Sequence, residues 1–230
     1  MDAHSGSASG TGLGLVLALE GSTRRASVAA RFKGRSAEAA LESARAHQSD
    51  LMPAVDALVR ELGATPSDLA AVLVGTGPGS YTGLRVTIAT ALGLARAAGA
   101  RVLGVPSGEI ACRGECADGE ELALLLDARS GELYFGRYKR VGDEVEPATE
   151  LRVVKPELIG ELDLKGAHVI TDAPALLDAE TRARVRTDAV PRASALLDLG
   201  CARLERGFST DPARLEPLYL RPFAASERKR

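Results

Sequence analysis

The sequence predicts an α/β fold made of two similar halves, each of which opens with a β-meander. In the first half, the apolar run GLGLVLALEGST is followed by two more strand-like segments and then by a segment whose apolar residues repeat at helical spacing. A buried-strand pattern, a glycine-rich loop and a second helical pattern come next. The predicted strands are residues 13–19, 26–32, 37–41, 68–74, 101–105 and 167–171, and the predicted helices are residues 49–63, 84–98 and 193–206.

A repeated sequence pattern within the chain supports the prediction of two similar halves. The segment LALLLDARSGELYFGRY (residues 122–138) repeats the pattern of LVLALEGSTRRASVAARF (residues 15–32). In both, an apolar strand ends in an acid, Glu20 or Asp127, a polar turn follows, and a second strand ends in Arg and an aromatic residue. The expected organisation is a disordered lead-in (1–12), an N-terminal subdomain (13–106), a C-terminal subdomain (107–222) and a polar tail (223–230).

Composition argues against several classes of function. The net charge is −2 and aromatic residues make up 3% of the chain, whereas a nucleic-acid platform presents a basic face or stacking aromatics. No apolar run approaches the roughly 18 residues that span a membrane. The opening MDAHSGSASGTG lacks the apolar segment of a secretory signal. We therefore expect a cytoplasmic protein without a membrane partner.

The three cysteines give little reason to predict a metal site. Cys112 and Cys116 could supply two ligands, but there is no second pair and no histidine near them in the sequence. Cys201 stands alone. We expect reduced thiols in a cytosolic protein and no metal bound by this chain.

The segment VLVGTGPGSYTGLR (residues 72–85) is the most distinctive in the chain. A glycine-rich turn between a strand and a helix exposes backbone N–H groups beside the positive end of the helix dipole, which suits a phosphate. Alternatively, Gly75 and Gly77 supply positive φ, while Gly79 and Gly83 permit close packing. The loop residues considered for an anion contact are Gly75, Gly77, Pro78, Gly79, Ser80, Tyr81, Thr82, Gly83 and Arg85.

Neither standard nucleotide signature is complete in this loop. A P-loop requires Gly-Lys-Ser/Thr, but Gly83 is followed by Leu84 and Arg85. The dinucleotide pattern requires glycine where Ser80 or Thr82 stands. The following helix has small and apolar residues on more than one face, which favours burial on two sides and a packing or docking role.

Candidates for catalysis are few. Glu20 and Asp127 at strand ends are the best pair of carboxylates for magnesium, but neither adjoins a glycine-rich phosphate hairpin. Ser80 is a conceivable nucleophile, but no histidine and acid are placed by sequence to activate it. The His-Glu-x-x-His, His-x-x-x-His and Gly-x-Ser-x-Gly patterns are absent from the sequence.

Five segments resemble the TsaB (YeaZ) family of bacterial tRNA threonylcarbamoyladenosine biosynthesis proteins. They are GTGPGSYTGLR with its following helix, LALEGST, AHQSDLMP, LLDARSGELYFG and LEPLYLRP. These segments run in order over nearly the whole chain, from about residue 15 to residue 222. Glu20 and Gly21 depart from the family's Asp followed by Thr or Ser, and Gln48 interrupts its His-Ser motif.

The resemblance implies a fold, a partner and a docking surface. The fold is the ASKHA type of actin, sugar kinases and Hsp70, a duplicated α/β architecture. The implied function is that of a non-catalytic partner of TsaD, which transfers threonylcarbamoyl to the tRNA adenosine 3′ of the anticodon in tRNAs reading codons that start with A. The helices at 49–63 and 84–98 would dock TsaD, or form a homodimer without it. The implied interface residues are Ser49, Leu51, Met52, Val55, Leu58, Leu84, Thr87, Ile88 and Ala91.

The resemblance also implies that nucleotide and metal belong to the complex rather than to this chain alone. TsaE, an ATPase, joins the pair; ATP or ADP and a metal are expected in the partner complex, through which tRNA is reached. The glycine loop would set the following helix for docking, with Arg85 available to an anion at the junction. Two alternatives stay open: an active ASKHA kinase or ATPase with magnesium on Glu20 and Asp127, and a peptidase that acts on its paralogue through Ser80.

Overall fold

The computed structural model describes residues 12–41 and 49–220. The strands are β1 (Leu15–Glu20), β2 (Ala26–Phe32), β3 (Arg35–Leu41), β4 (Leu69–Gly75), β5 (Arg101–Val105), β6 (Glu121–Arg129), β7 (Glu132–Val141), β8 (Glu144–Pro147), β9 (Arg152–Val154) and β10 (Ala167–Thr171). The helices are α1 (Leu51–Glu61), α2 (Tyr81–Ala98), α3 (Ser107–Glu115), α4 (Ala179–Arg182) and α5 (Ala193–Glu205), with short 3₁₀ turns between some of them.

The strands form two sheets that repeat one topology. The order is β3-β2-β1-β4-β5 in the first sheet and β10-β6-β7-β8 in the second, where β9 also pairs with β7. In each sheet the leading strand is antiparallel to the next strand and parallel to a later one: β1 pairs with β2 and β4, and β6 with β7 and β10. The predicted α/β class is confirmed. The repeated sequence pattern corresponds to the hairpins β1–β2 and β6–β7.

Most predicted elements are present with small shifts at their ends. The observed bounds of β2, β5 and β10 are the predicted ones. Helix α2 begins earlier than predicted, at Tyr81, because Ser80 caps it: the Ser80 Oγ accepts from Gly83 N at 3.2 Å. The predicted cap of α1 was wrong by one residue, since Asp50 rather than Ser49 occupies that position.

Alternating side chains of the strands separate the apolar clusters. On β1, Leu15, Leu17 and Leu19 pack with α1 and α2 on one face of the first sheet. Val16 and Ala18 point to the other face, which shares a cluster with α3, α5 and the second sheet. The remaining face of the second sheet packs against the segments that flank β10. One strand can serve two clusters because successive side chains of a strand point to opposite faces.

Helix α5 joins the two halves although it comes late in the chain. It packs against β1, β2 and α3. Near its end, Arg203 lies 2.6 Å from Glu109 of α3 and 2.7 Å from Glu144 of β8. The chain then returns to the first sheet, where Leu218 N donates to Thr76 O at 2.8 Å.

Some predictions concern parts of the chain outside the described residues. The lead-in up to residue 11, His47 with Gln48, and the tail after residue 220 lie outside the described residues. The bounds of the two subdomains stay predictions. Within the described part of the chain, no helix combines the length and apolar character needed to cross a membrane.

Candidate functional site

The glycine loop joins β4 to α2, and amides of this loop are bound by the chain itself. Gly77 N donates to Ser107 Oγ at 3.1 Å, and Gly77 O accepts from Ser107 N at 2.8 Å. Ser80 N donates to Ser22 O at 2.6 Å. A phosphate site needs such amides directed at the ligand. The loop therefore acts as a junction between the β1–β2 turn, α3 and α2.

The glycines of the loop divide into two structural roles. Gly77 and Gly79 adopt positive φ, +97° and +152°. Gly75, the last residue of β4, serves close packing instead: a Cβ at this position would lie 1.9 Å from Glu20 Oε2. A Cβ at Gly79 would lie 2.1 Å from Ser22 O. Positive φ at Gly77 and close packing at Gly79 are confirmed, and positive φ at Gly75 was wrong because the extended strand reaches this residue.

Glu20 is buried beneath the glycine loop and is only 1% exposed. Its Oε1 accepts from Ser22 N at 2.7 Å, and Ser107 Oγ lies 3.1 Å from its Oε2. Burial raises the pKa of Glu20, while the hydrogen bonds from Ser22 and Ser107 act in the opposite direction. Because Ser107 is the first residue of α3, this carboxyl group links β1 to the second half of the chain.

A cleft of about 480 Å³ lies between the β1–β2 turn, the glycine loop and the β6–β7 turn. Its polar lining consists of Ser22, Thr23, Arg24, Ser80, Asp127, Arg129, Ser130 and Asp172. Asp127 N donates to Asp172 Oδ1 at 2.8 Å, and Asp127 Oδ2 lies 3.3 Å from Arg129 Nη1. Burial raises the pKa of Asp172, and the charge of Asp127 adds to this effect. The lining therefore offers charges of both signs to a small polar molecule.

Three charged residues of this cleft were not selected from the sequence. Arg24 belongs to the β1–β2 turn, Arg129 is the last residue of β6, and Asp172 directly follows β10. The sequence signal for Asp172 was its position directly after the predicted strand at 167–171, whereas the pairing that joins it to Asp127 comes from the structure. Because β10 is parallel to β6, the carboxyl ends of the two strands meet at one edge of the sheet and bring Asp172 to Asp127.

The residues of the two catalytic alternatives have other partners. Asp127 lines the cleft, whereas Glu20 is buried with Ser22 and Ser107. Ser80 Oγ accepts from the Gly83 amide as a helix cap. His168 lies 3.1 Å from Glu120 in the second half, and His4 and His47 are outside the described residues. These contacts support neither a magnesium site formed by Glu20 and Asp127 nor activation of Ser80 by a histidine.

Most residues implied as a partner interface lie in the core of this chain. Leu51, Val55, Leu58, Leu84, Thr87, Ile88 and Ala91 are buried, whereas Ser49 and Met52 are exposed. Buried side chains do not face a partner, so a contact through these helices would use their outer sides. The exposed side of α2 includes Tyr81, Thr82, Arg85, Ala89, Gly93 and Arg96. Docking through α1 and α2 itself stays a prediction.

Arg85 is held by two aromatic residues at the edge of the loop. Its Nε donates to Tyr219 Oη at 2.8 Å, and its guanidinium lies over the Tyr81 ring, 4.1 Å from the centroid. The Tyr81 and Tyr219 rings are 5.7 Å apart between centroids. Tyr219 of the segment LEPLYLRP therefore meets the first turn of α2, which brings together two of the five distinctive segments.

The two-sheet architecture and the loop junction define an α/β protein built of two sheets, and comparison with known proteins places it in a class. Residues 38–188 match the family described as "TsaD: tRNA N6-adenosine threonylcarbamoyltransferase". Among solved structures, YeaZ from Pseudomonas aeruginosa matches with a TM-score of 0.77 at 28% identity, over 90% of this chain and 100% of that one.

Two similar proteins narrow this class of protein to one family. The "tRNA threonylcarbamoyladenosine biosynthesis protein TsaB" of Escherichia coli is 30% identical over 188 residues, which cover 77% of this chain and 81% of that protein. The protein of the same name from Haemophilus influenzae is 27% identical over 221 residues, covering 90% of this chain and 93% of that protein. The chain belongs to the TsaB (YeaZ) family.

Proposed function

We propose that this protein takes part in tRNA threonylcarbamoyladenosine biosynthesis as the non-catalytic partner of a TsaD homologue. The observation that carries the proposal is the binding of the loop amides of Gly77 and Ser80 by Ser107 and Ser22. In a catalyst, a glycine-rich loop between a strand and a helix would direct these amides at a phosphate. In this chain, the loop instead fixes the start of α2. The names of the relatives supply the pathway.

The proposed fold type is ASKHA, and the repeated topology of the two sheets supports it. In each sheet, a meander is followed by a strand parallel to the first. A duplicated architecture of this type creates a cleft between its two halves, and the cleft between the two hairpin turns has this position. We infer a cytoplasmic location from the pathway, because the tRNA substrate is cytoplasmic.

The proposed docking surface is the outer side of α1 and α2. Met52 of α1 is 47% exposed and lines, together with Leu94 of α2, an apolar groove of about 260 Å³. Ala89 and Gly93 are also exposed on α2, and small residues let another backbone approach closely. We propose that a TsaD homologue binds this surface, and that a second copy of the chain occupies it when TsaD is absent. TsaE and tRNA would then join through the complex, which would also hold nucleotide and metal.

Reconstitution tests the proposal. Unmodified tRNA is incubated with ATP, threonine, bicarbonate and the TsaC-type, TsaD and TsaE proteins of the same organism, with and without this chain. Threonylcarbamoyladenosine is then measured by mass spectrometry of the digested tRNA. We expect modification only when this chain and TsaD are both present. Equal modification without this chain would overturn the proposal, and ATP turnover by the isolated chain would favour the kinase or ATPase alternative.

A further inference from the structure

A cluster of metal-ligating side chains lies at the edge of the second sheet opposite the cleft. Cys116 Sγ, a carboxylate oxygen of Glu120 and a ring nitrogen of His168 all lie within 4.8 Å of one another. The His168 Nε2 is 3.1 Å from Glu120 Oε2. Glu120 precedes β6 and His168 is near the start of β10, whereas the cleft adjoins the carboxyl ends of these strands.

A second thiol lies close to this cluster in the chain but outside the group of mutually close donors. Cys112 lies one helical turn before Cys116, whose backbone N–H donates to Cys112 O at 3.0 Å. Both thiols are buried. Two ligands at i and i+4 on one helical turn face the same side, as in other metal sites built on helices.

The fold supplies the histidine that the sequence does not place beside the cysteines. Glu120 and His168 are 48 residues apart in the chain. The parallel pairing of β10 with β6 aligns His168 with Leu122, two residues after Glu120. Cys112-x-x-x-Cys116 therefore acquires the additional ligands that its sequence neighbourhood lacks.

We propose that Cys112, Cys116, Glu120 and His168 bind one divalent transition-metal ion, and that zinc is the metal that fits this donor set. Zinc takes thiolate sulfur at about 2.3 Å and imidazole nitrogen or carboxylate oxygen at about 2.0–2.2 Å, so that tetrahedral ligands stand roughly 3.3–3.8 Å apart. Cys116, Glu120 and His168 reach this spacing with shifts on the order of 1 Å, whereas Cys112, outside their group, would have to turn towards the ion. Thiolates with imidazole favour zinc over the hard cations magnesium and calcium.

The surroundings of the cluster suit a bound ion. Cys116 is 3% exposed, whereas the side chains of Glu120 and His168 are 47% and 38% exposed, so an ion can enter from solvent and reach the thiols. Glu120 Oε2 accepts from Ala117 N at 2.7 Å, which holds the carboxylate in place. Arg140 Nη1 donates to Cys116 O at 2.7 Å. Its positive charge offsets the excess of negative charge that two thiolates and a carboxylate bring to a divalent ion.

Cobalt(II) binding to the full chain tests the proposal, because a thiolate–cobalt bond gives a charge-transfer absorption that an ion pair or a packed thiol cannot give. The chain is purified reduced and free of metal and is titrated with cobalt, then with zinc. We expect one cobalt per chain with this absorption, its displacement by one equivalent of zinc, and a higher Tm with zinc. Binding without the charge-transfer absorption, or no binding, would overturn the proposal.

Three variants assign the signal to the cluster. Cys116→Ser and His168→Ala should each weaken cobalt binding at least about tenfold, and Cys116→Ser should diminish the charge-transfer absorption. Cys201→Ser is the matched control, since Cys201 is also a buried thiol but belongs to α5 outside the cluster, and it should bind as the unchanged chain does. His168→Ala decides the question if Cys116→Ser does not fold, because His168 is partly exposed. Unchanged affinity in His168→Ala would contradict the assignment.

Discussion

The hydroxyl group of Ser107 lies 3.1 Å from Glu20 Oε2 and accepts the amide hydrogen of Gly77 at 3.1 Å. One side chain at the start of α3 thereby connects the end of β1 with the glycine loop. The connection places a carboxyl group in the interior, where an ionised form is costly unless it is hydrogen-bonded. Stability at this junction should therefore depend on the protonation of Glu20.

Glu20→Gln should change the dependence of stability on pH. Burial raises the pKa of Glu20 in the folded chain above the ordinary value of 4.5, so the folded state binds the proton more tightly than the unfolded state. The contribution of Glu20 to stability is then largest at low pH and is lost as pH rises through the folded pKa. Glutamine has no proton to lose in this pH range. We therefore expect the free energy of unfolding of Glu20→Gln, minus that of the unchanged chain, to rise with pH.

Urea denaturation between about pH 4.5 and 8 measures this difference. Glu61→Gln, on the exposed side of α1, controls for removing a carboxylate from the surface. A difference between Glu20→Gln and the unchanged chain that stays constant over this range would show that the carboxyl group has the same proton affinity in both states.

Gly75→Ala should destabilise the chain through Glu20. The added Cβ would lie 1.9 Å from Glu20 Oε2, so the buried carboxyl group must move. Overpacking of this kind costs about 1–3 kcal/mol. The cost should fall when Glu20→Asp shortens the opposing side chain, with a coupling of about 1 kcal/mol in the double-mutant cycle. Gly160→Ala, where a Cβ meets nothing within 4 Å, is the matched control, and strictly additive effects at 75 and 20 would contradict the contact.

The sequence was informative where local pattern determines structure. The bounds of β2 and β5 follow from strand patterning, and the two hairpins follow from the repeated sequence pattern. The resemblance implied a partner interface on α1 and α2, and the helical pattern did not tell which way their apolar faces point, so Leu51 and Leu84 were assigned to a partner although they are buried in the chain. Hydrophobic residues at helical spacing look alike in a core and in an interface, because both bury them.

Long-range pairing was beyond the reach of the sequence pattern. Nothing near Cys116 indicates that His168 will lie beside it, because their meeting depends on which strand β10 pairs with and in which register. Likewise, the burial of Glu20 depends on Gly75 and Ser107, which follow it far along the chain. Both sites are made by strand order, which a single sequence leaves open.

Ala89→Glu should separate docking from folding. Ala89 is exposed on α2, so the charged side chain reaches solvent in the free chain, but it would be buried against a partner that covers this face. We expect a folded variant whose affinity for TsaD falls at least about tenfold, because burying an unpaired charge costs several kcal/mol. Calorimetric titration with TsaD measures the affinity, and circular dichroism checks the fold.

Two further charged variants make the docking test specific. Leu84→Glu should unfold the chain, since Leu84 is 1% exposed. Leu158→Glu places the same charge on a residue that is 44% exposed in the second half, and it should bind TsaD normally. If Ala89→Glu also bound TsaD as the unchanged chain does, the proposed docking surface would be wrong.

Tyr219→Ala should release the segment that follows α5 from the first sheet. Tyr219 accepts a hydrogen bond from Arg85 and its ring packs near Tyr81, while the neighbouring Leu218 amide donates to Thr76 O. Losing both side-chain contacts should speed hydrogen exchange of the Leu218 amide about two- to fivefold, the range expected for an exposed aromatic–cation contact. Tyr219→Phe keeps the ring and loses only the hydroxyl group, so its effect should be smaller. Equal exchange in all three proteins would mean that the Leu218 amide is protected by the sheet alone, and that the contact between Tyr219 and Arg85 does not hold this segment in place.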